Sequence, residues 1–98
     1  MTPIPLIDAA SQLPTAWSSR LVARFGDANL KLVRMDAAAY PQECHDYAEG
    51  LLVLDGEMIL DMDGQRLRVA AGELFVVPAG VQHSVAPGSR GTLLILDN

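Results

Sequence analysis

The chain has only two histidines, and each lies in a segment whose residue types and spacing suit a metal site. His45 follows Glu43 with one residue between them, and it precedes Glu49 by four positions. His83 ends the segment GELFVVPAGVQH, in which a short apolar run and a Pro-Ala-Gly turn lead up to the histidine. Imidazole nitrogens and carboxylate oxygens together hold divalent iron or manganese and leave coordination positions open. We therefore treat these four side chains as candidate metal ligands.

Alternation along an extended chain separates the candidate ligands from the single cysteine. Successive side chains of a strand point to opposite faces, so Glu43 and His45 share one face and Cys44 points to the other. We therefore do not expect Cys44 to bind the metal. Glu49 leads into the apolar run Leu51–Leu54, where a carboxylate without a partner would be costly to bury. A cation beside Glu49 would remove that cost.

Composition limits the functions that the chain could have. A length of 98 residues predicts one domain, and 50% apolar residues suffice for one packed core. The net charge is −5 and the seven basic residues are dispersed, so no basic face is available for phosphates or anionic lipid. Nucleic acid and membrane surfaces are therefore not expected as partners, and a small molecule is.

Neither a membrane-spanning nor a targeting segment is apparent. The apolar runs fall far short of the roughly 20 residues that a spanning helix needs, and the first residues lack a basic region followed by an apolar one. One cysteine cannot form an intramolecular disulfide, which fits a reducing compartment. These features predict a cytoplasmic location.

Short apolar segments separated by turn residues predict an all-β domain. Asp55-Gly56 and Asp63-Gly64 are dipeptides of tight hairpin turns, and each is expected to join two antiparallel strands. We predict eight strands, at Leu21–Phe25, Leu30–Met35, Glu49–Leu54, Met58–Met62, Arg66–Ala70, Leu74–Val77, Gln82–Ala86 and Thr92–Leu96.

The N-terminal residues 1–20 form a different kind of segment. Pro3, Pro5 and Pro14 disfavour a helix, so we expect an irregular arm or an edge strand here. Leu51–Leu54 is apolar at every position, whereas a strand with one face in water should alternate. We therefore expect its outer face to be covered, either by a second subunit or by this N-terminal arm.

The two histidine segments resemble the two sequence motifs of the cupin superfamily. The first motif of that family runs His, one residue, His, three or four residues, Glu, six residues, Gly; the second runs Gly, five, Pro, one, Gly, two, His, three, Asn. The matching positions in this chain are His45, Glu49 and Gly56, and then Gly72, Pro78, Gly80 and His83. Glu43 stands in place of the first histidine and Pro87 in place of the final asparagine. The resemblance spans about residues 32–96.

This resemblance implies a jelly-roll barrel, the double-stranded β-helix of antiparallel strands, as a single cupin domain over residues 1–98 with its barrel at 30–96. It further implies that His45, Glu49 and His83 bind a divalent metal ion inside the barrel. Glu43, at the position of the motif's first histidine, is a candidate fourth ligand. The ion would be iron, manganese, nickel or zinc. Cupins commonly dimerise through outer sheet faces and N-terminal strands, so a homodimer is expected.

Two functions fit these expectations. The first is a metal-dependent enzyme acting on a small organic molecule by oxygenase- or isomerase-type chemistry, with Tyr47 and Gln82 beside the ligands as candidate substrate contacts. The second is a non-catalytic module that binds a small molecule, in which the metal is structural or absent. The replacement of a histidine by Glu43 favours the second function, and the position of both histidines within the motifs favours the first.

Overall fold

A computed structural model describes all 98 residues as one short helix and eight strands, and every strand pair in it is antiparallel. The elements in chain order are α1 (Leu6–Ser11), β1 (Arg20–Phe25), β2 (Ala28–Met35), β3 (Tyr40–Glu43), β4 (Glu49–Met62), β5 (Gln65–Ala70), β6 (Leu74–Val77), β7 (His83–Val85) and β8 (Arg90–Asp97). The strands form a jelly-roll barrel, as the motifs led us to expect. The helix is too short to cross a membrane.

Strand β4 organises the barrel. The strands follow the order β1-β2-β8-β4-β7-β3, and β5 and β6 also pair with β4. The first half of β4 pairs with β6 and β8, whereas its second half pairs with β5 and β7. Glu49 at its start contacts the His83 imidazole, and Met62 at its end is the backbone partner of His83. A straight 14-residue strand would span roughly 45 Å, so β4 must bend back on itself.

The bend lies at Gly56, where a hairpin turn was predicted and the prediction was wrong. Residues 49–62 form one continuous strand instead of two, and Gly56 pairs with Gly91 of β8. Both glycines have positive φ, 78° and 100°, and a Cβ on Gly56 would lie 2.1 Å from the carbonyl oxygen of Arg90. The two backbones approach here too closely for any side chain. Gly56 therefore allows a sharp bend within one strand instead of a turn between two strands. The Asp63-Gly64 turn does join β4 to β5, as predicted.

The remaining predicted strands agree with the structure within two residues at each end. Strand β3 was not predicted. Its sequence, YPQE, contains a proline and no apolar alternation, which argue against a strand in a sheet interior. As the last strand in the sheet order, β3 occupies an edge, where a proline is tolerated.

Residues 6–11 form a helix, contrary to the prediction for the N-terminal arm. The prolines do not interrupt this helix, because Pro3 and Pro5 precede it and Pro14 follows it. Ala10 of the helix is fully buried in a cluster with Leu32 and Leu94, and Leu52 and Leu54 of β4 pack against this cluster. The arm of the same chain therefore covers much of the outer face of β4.

A larger apolar cluster packs inside the barrel. Its buried members come from β2, β4, β5, β6, β7 and β8, and Val53, Met58 and Leu60 are fully excluded from solvent. This core closes the barrel at the end where β4 bends. The opposite end carries the histidines.

Candidate metal centre

Three strands bring the four candidate ligands together at the open end of the barrel. Glu43 is the last residue of β3, Glu49 is the first residue of β4, and His83 is the first residue of β7. His45 lies in the connection between β3 and β4, where the Gly80 backbone N–H donates to its carbonyl oxygen. The pairing of Glu43 with His83 across β3 and β7 sets their register. Side chains distant in sequence therefore meet at one point.

Each histidine presents Nε2 to two carboxylates. His45 Nε2 lies 3.5 Å from Glu43 Oε2 and 3.7 Å from Glu49 Oε2. His83 Nε2 lies 3.5 Å from Glu49 Oε1 and 4.0 Å from Glu43 Oε2. These separations exceed those of good hydrogen bonds, and they suit ligand atoms arranged around one ion. Glu43, His45 and His83 alone already form a group whose ligand atoms lie within 4.8 Å of one another.

The backbone fixes the orientation of His83. Its Nδ1 lies 3.1 Å from the carbonyl oxygen of Val81, so Nδ1 carries the proton and donates it there. Nε2 then has a free lone pair directed toward the carboxylates. Such a second bond on the far nitrogen is the usual support of a metal-binding imidazole. His45 is held differently, by a nearly parallel stack on the ring of Tyr47 with 4.9 Å between the ring centroids.

The cluster has buried polar atoms that nothing in the chain satisfies. Nε2 of His45 and Nε2 of His83 are both buried and have no hydrogen-bond partner. Glu49 is 7% exposed, and burial raises the pKa of its carboxyl above the ordinary value, although the two imidazoles offset part of the rise. Leaving such groups unpaired is unfavourable by about 1 to 3 kcal/mol each. A divalent cation among them would satisfy both nitrogens and the carboxylate charge, so the donor set fits a metal ion.

A cavity of about 180 Å³ leads from this cluster into the barrel. Apolar side chains such as Leu51, Met58 and Leu60 form its inner wall, and Trp17 and Tyr40 form an aromatic pair at its side. Tyr47 also lines the cavity. Gln82 lies outside it on the surface, where the Gln42 amide donates to Gln82 Oε1.

Two charged cavity residues, Lys31 and Asp97, were not predicted as site residues. The sequence of β2 indicates one polar and one apolar face, because Asn29 and Lys31 alternate with Leu30 and Leu32. A sequence-based prediction assigns the leucines to the interior by default. The structure places Lys31 toward the cavity and Leu32 on the outer side beneath α1.

Comparison with known proteins identifies the family at the level of sequence. The profile of the cupin domain family matches residues 32–97, a range that contains all four candidate ligands. The chain is also 41% identical over 58 residues to quercetin 2,3-dioxygenase from Bacillus subtilis (strain 168). That match covers 58% of this chain and 17% of the dioxygenase, so the chain spans less than a fifth of that relative.

Solved structures agree with the fold. A cupin-2 domain protein from Shewanella frigidimarina NCIMB 400 superposes with a TM-score of 0.87 at 27% identity, over 96% of this chain and 92% of that one. Hydroquinone 1,2-dioxygenase from Sphingomonas sp. TTNP3, in complex with 4-nitrophenol, gives a TM-score of 0.89 at 22% identity, over 99% of this chain and 32% of that one. The second likeness concerns the fold alone.

Proposed function

The chain belongs to the cupin domain family, and on this premise we propose that it is a metal-dependent enzyme that acts on a small organic molecule by oxygenase-type chemistry. The observation that carries this proposal is the pair of buried, unpartnered Nε2 atoms of His45 and His83, which face the carboxylates of Glu43 and Glu49. A barrel that served only as a scaffold would gain no stability from buried nitrogen atoms without hydrogen-bond partners.

His45, His83 and Glu49 would hold the ion as a set of two histidines and one carboxylate, and Glu43 would be the fourth ligand. Nitrogen and oxygen donors without a thiolate suit iron or manganese, with nickel and zinc as the other candidates. The ion would supply Lewis acidity and, in the case of iron or manganese, the redox activity that dioxygen chemistry requires.

The protein's own residues would bind and orient the substrate and move protons. The side chain of Glu43 is 36% exposed and that of Glu49 is 9% exposed, so Glu43 is the carboxylate better able to exchange a proton with a molecule in the cavity. The apolar wall formed by Leu51, Met58 and Leu60 would exclude water from the reacting part of that molecule.

Cavity size favours a small substrate. An apolar protein cavity of about 150 Å³ accommodates benzene, and pockets for drug-sized ligands begin at about 300 Å³. The volume of about 180 Å³ therefore suits a single ring or an aliphatic molecule of similar size. The match to a dioxygenase sequence supports oxygenase chemistry at the level of the family.

The alternative function is a non-catalytic binding module with a structural metal or none. The observation that favours it is Glu43, which stands where the family motif has a histidine. Two carboxylates would neutralise the charge of a divalent ion and lower its Lewis acidity. Oxygen uptake in the presence of small organic molecules, lost on chelation and restored by one particular metal, would exclude this alternative.

A second copy of the chain is the proposed macromolecular partner. Leu74, Val76 and Leu96 remain 37 to 56% exposed on the outer face of the sheet. They surround Gly50, at which a Cβ would lie 3.3 Å from Leu96 and 3.5 Å from Leu74, and so they form one continuous patch, here called the outer patch. Contiguous exposed apolar patches commonly mark protein interfaces, and a two-fold axis could pair this one with itself.

Metal content tests the central proposal. Protein purified without a metal-affinity tag should contain about one iron, manganese, nickel or zinc ion per chain, as its four-ligand site requires. The His45→Ala/His83→Ala double variant should contain almost none, because it lacks both nitrogen ligands. Elemental analysis of both proteins measures this, and far-UV circular dichroism verifies that the variant is folded.

Gln82→Ala is the matched control, because it changes the exposed neighbour of His83 outside the cavity and should leave the metal content unchanged. A wild-type protein that retains no metal after incubation with each of the four ions would contradict the proposal and favour the binding module.

A further inference from the structure

The cavity contains an ammonium group that the metal centre does not use. Lys31 is the single lysine of the chain, and no arginine lines the cavity. It lies on β2 opposite Ile95 of β8, another cavity residue, and its side chain is 32% exposed. A lysine on the inner face of a barrel strand gives up part of its hydration, so its charge needs a partner there. This placement calls for a functional explanation.

Asp97 holds the Lys31 ammonium in position. Lys31 Nζ donates to Asp97 Oδ2 at 2.8 Å, and the amide of Asn29 donates to Asp97 Oδ1 at 3.1 Å. The Asp97 side chain is 4% exposed, and both of its carboxylate oxygens are held by residues of the neighbouring strand β2. The hydrogen bond to Asp97 also raises the pKa of Lys31, which therefore stays charged at neutral pH. The ammonium has three donors, and Asp97 occupies one of them.

Lys31 and the metal centre border the same small cavity. Glu49 and Asp97 lie next to each other on the inner face, because the neighbouring residues Gly50 and Leu96 are paired across β4 and β8. A molecule about as large as one ring, bound near the metal centre, would therefore lie within the cavity that Lys31 also lines. Its polar substituent would share that cavity with the two remaining N–H donors of the ammonium.

The free N–H donors of Lys31 favour an anionic substituent, because no net negative charge opposes it once a divalent ion is bound. A divalent ion would neutralise Glu43 and Glu49 formally, and Lys31 already neutralises Asp97. An incoming carboxylate would then meet a formally neutral cavity with two free charged donors. Hydrogen bonds between charged partners are roughly twice as strong as those between neutral ones, and a carboxylate has two oxygens to accept them.

We propose that Lys31, positioned by Asp97, binds the carboxylate of the substrate, and that the substrate is a small organic acid no larger than a substituted single ring. This inference rests on the proposed function, since it takes the cavity beside the metal centre as the substrate site. Lys31 is thus a residue that determines specificity, and Asp97 is a positioning residue.

The test uses benzoate and its neutral isostere benzamide as probes of the metal-loaded protein. Trp17 is the single tryptophan and lines the same cavity, so its fluorescence reports binding directly without any turnover. Wild-type protein should bind benzoate about tenfold or more tightly than benzamide, as expected for hydrogen bonds to a charged group. Lys31→Met should weaken benzoate binding about tenfold or more and leave benzamide binding nearly unchanged.

Two further variants make the result specific. Arg24→Met removes one positive charge from an exposed position outside the cavity and should leave benzoate binding unchanged. Lys31→Met leaves the buried carboxylate of Asp97 without its partner. If that variant folds poorly, Lys31→Met/Asp97→Asn replaces it, because the double variant removes both charges of the pair. This double variant should also lose the preference for benzoate.

Equal affinity of Lys31→Met and wild type for benzoate would overturn the inference, and so would absence of benzoate binding to the metal-loaded wild type. Metal content measured on the same samples separates this failure from that of the proposed function. If the wild-type protein contains no metal, the proposed metal centre is refuted. If metal-loaded protein binds benzoate equally well with and without Lys31, only the proposed role of the lysine is refuted.

Discussion

The sheet formed by β2, β8 and β4 has opposite polarity at its two ends. At the closed end, the inner face carries Val33, Val53 and Leu93, and the outer face carries the charged residues Arg34 and Asp55 on either side of the buried Thr92. At the open end the arrangement reverses. There the inner face carries Lys31, Glu49 and Asp97, whereas Leu96 lies on the outer face, where Val76 of β6 continues the apolar surface.

This reversal separates the part of the barrel that stabilises the fold from the part that carries the candidate site. Apolar side chains inside and polar side chains outside are what stability requires, and the closed end has this arrangement. Charges inside and apolar side chains outside both reduce stability unless something binds them. A metal ion and a small acid on the inner side, and a second copy on the outer side, would each satisfy one half of the reversed end.

The largest effect on stability is expected at the bend of β4. A Cβ on Gly91 would lie 2.0 Å from the carbonyl oxygen of Asp55, and Gly91 has a φ of 100°. Gly91→Ala therefore adds a backbone clash to an unfavourable dihedral angle, which together should destabilise the fold by about 4 kcal/mol. Urea unfolding of the metal-loaded proteins measures the difference.

Gly64→Ala is the control for the dihedral angle alone. Gly64 also has positive φ, 73°, but nothing lies within 4 Å of its Cβ position. It should destabilise the fold by only about 1 kcal/mol. Equal effects of the two substitutions would mean that the close approach at the bend does not hold in solution. The distinction between a stabilising closed end and a functional open end would then lose its main support.

The bend also shows what the sequence could not reveal. Asp55-Gly56 and Asp63-Gly64 are the same dipeptide, and only the second forms a turn. The difference is that Gly56 pairs with a glycine of β8, 35 positions further along the chain. A pattern of neighbouring residues cannot reveal that pairing. The helix at residues 6–11 was missed for a similar reason, because its stability comes from packing Ala10 on Leu32 and Leu94.

The candidate metal centre was more predictable than the rest of the cavity. Glu43, His45, Glu49 and His83 were assigned from two short motifs, and the structure brings these four side chains together. Lys31 and Asp97 belong to no motif, and their place in the cavity depends on which face of β2 and β8 points inward. Leu30 and Leu32 on one face of β2 favoured placing that face inside the barrel. They lie on the outer face instead, in the apolar cluster that includes Ala10 of α1.

An intermediate effect is expected on the outer side of the open end. Val76→Asp places a charge within the outer patch and should convert a dimer into a monomer without reducing the metal content. Sedimentation velocity measures the change. Leu21→Asp is a matched control, because Leu21 is 52% exposed and Val76 is 53% exposed, and β1 lies at the opposite edge of the sheet. A wild-type protein that is monomeric at all concentrations would contradict the proposed dimer.

The smallest effect is expected on the outer surface of the hairpin formed by β4 and β5, where polarity is ordinary. Arg68 Nε donates to Glu57 Oε2 on the neighbouring strand, and this hydrogen bond lowers the pKa of the Glu57 carboxyl. A lowered pKa in the folded state stabilises the fold above the ordinary pKa of glutamate, and this stabilisation disappears as the pH falls through the lowered value. Because both groups are in contact with solvent, salt screens the interaction.

Glu57→Gln should therefore lower the Tm only slightly at pH 7, and less still at high salt. At a pH below the lowered pKa of Glu57, wild type and variant should unfold at the same temperature, as differential scanning calorimetry would show. A large, salt-independent decrease would mean that this charged surface contributes to stability as strongly as the apolar interior. Stability would then depend on charge pairs even where the sheet has ordinary polarity, and the contrast between its two ends would concern binding alone.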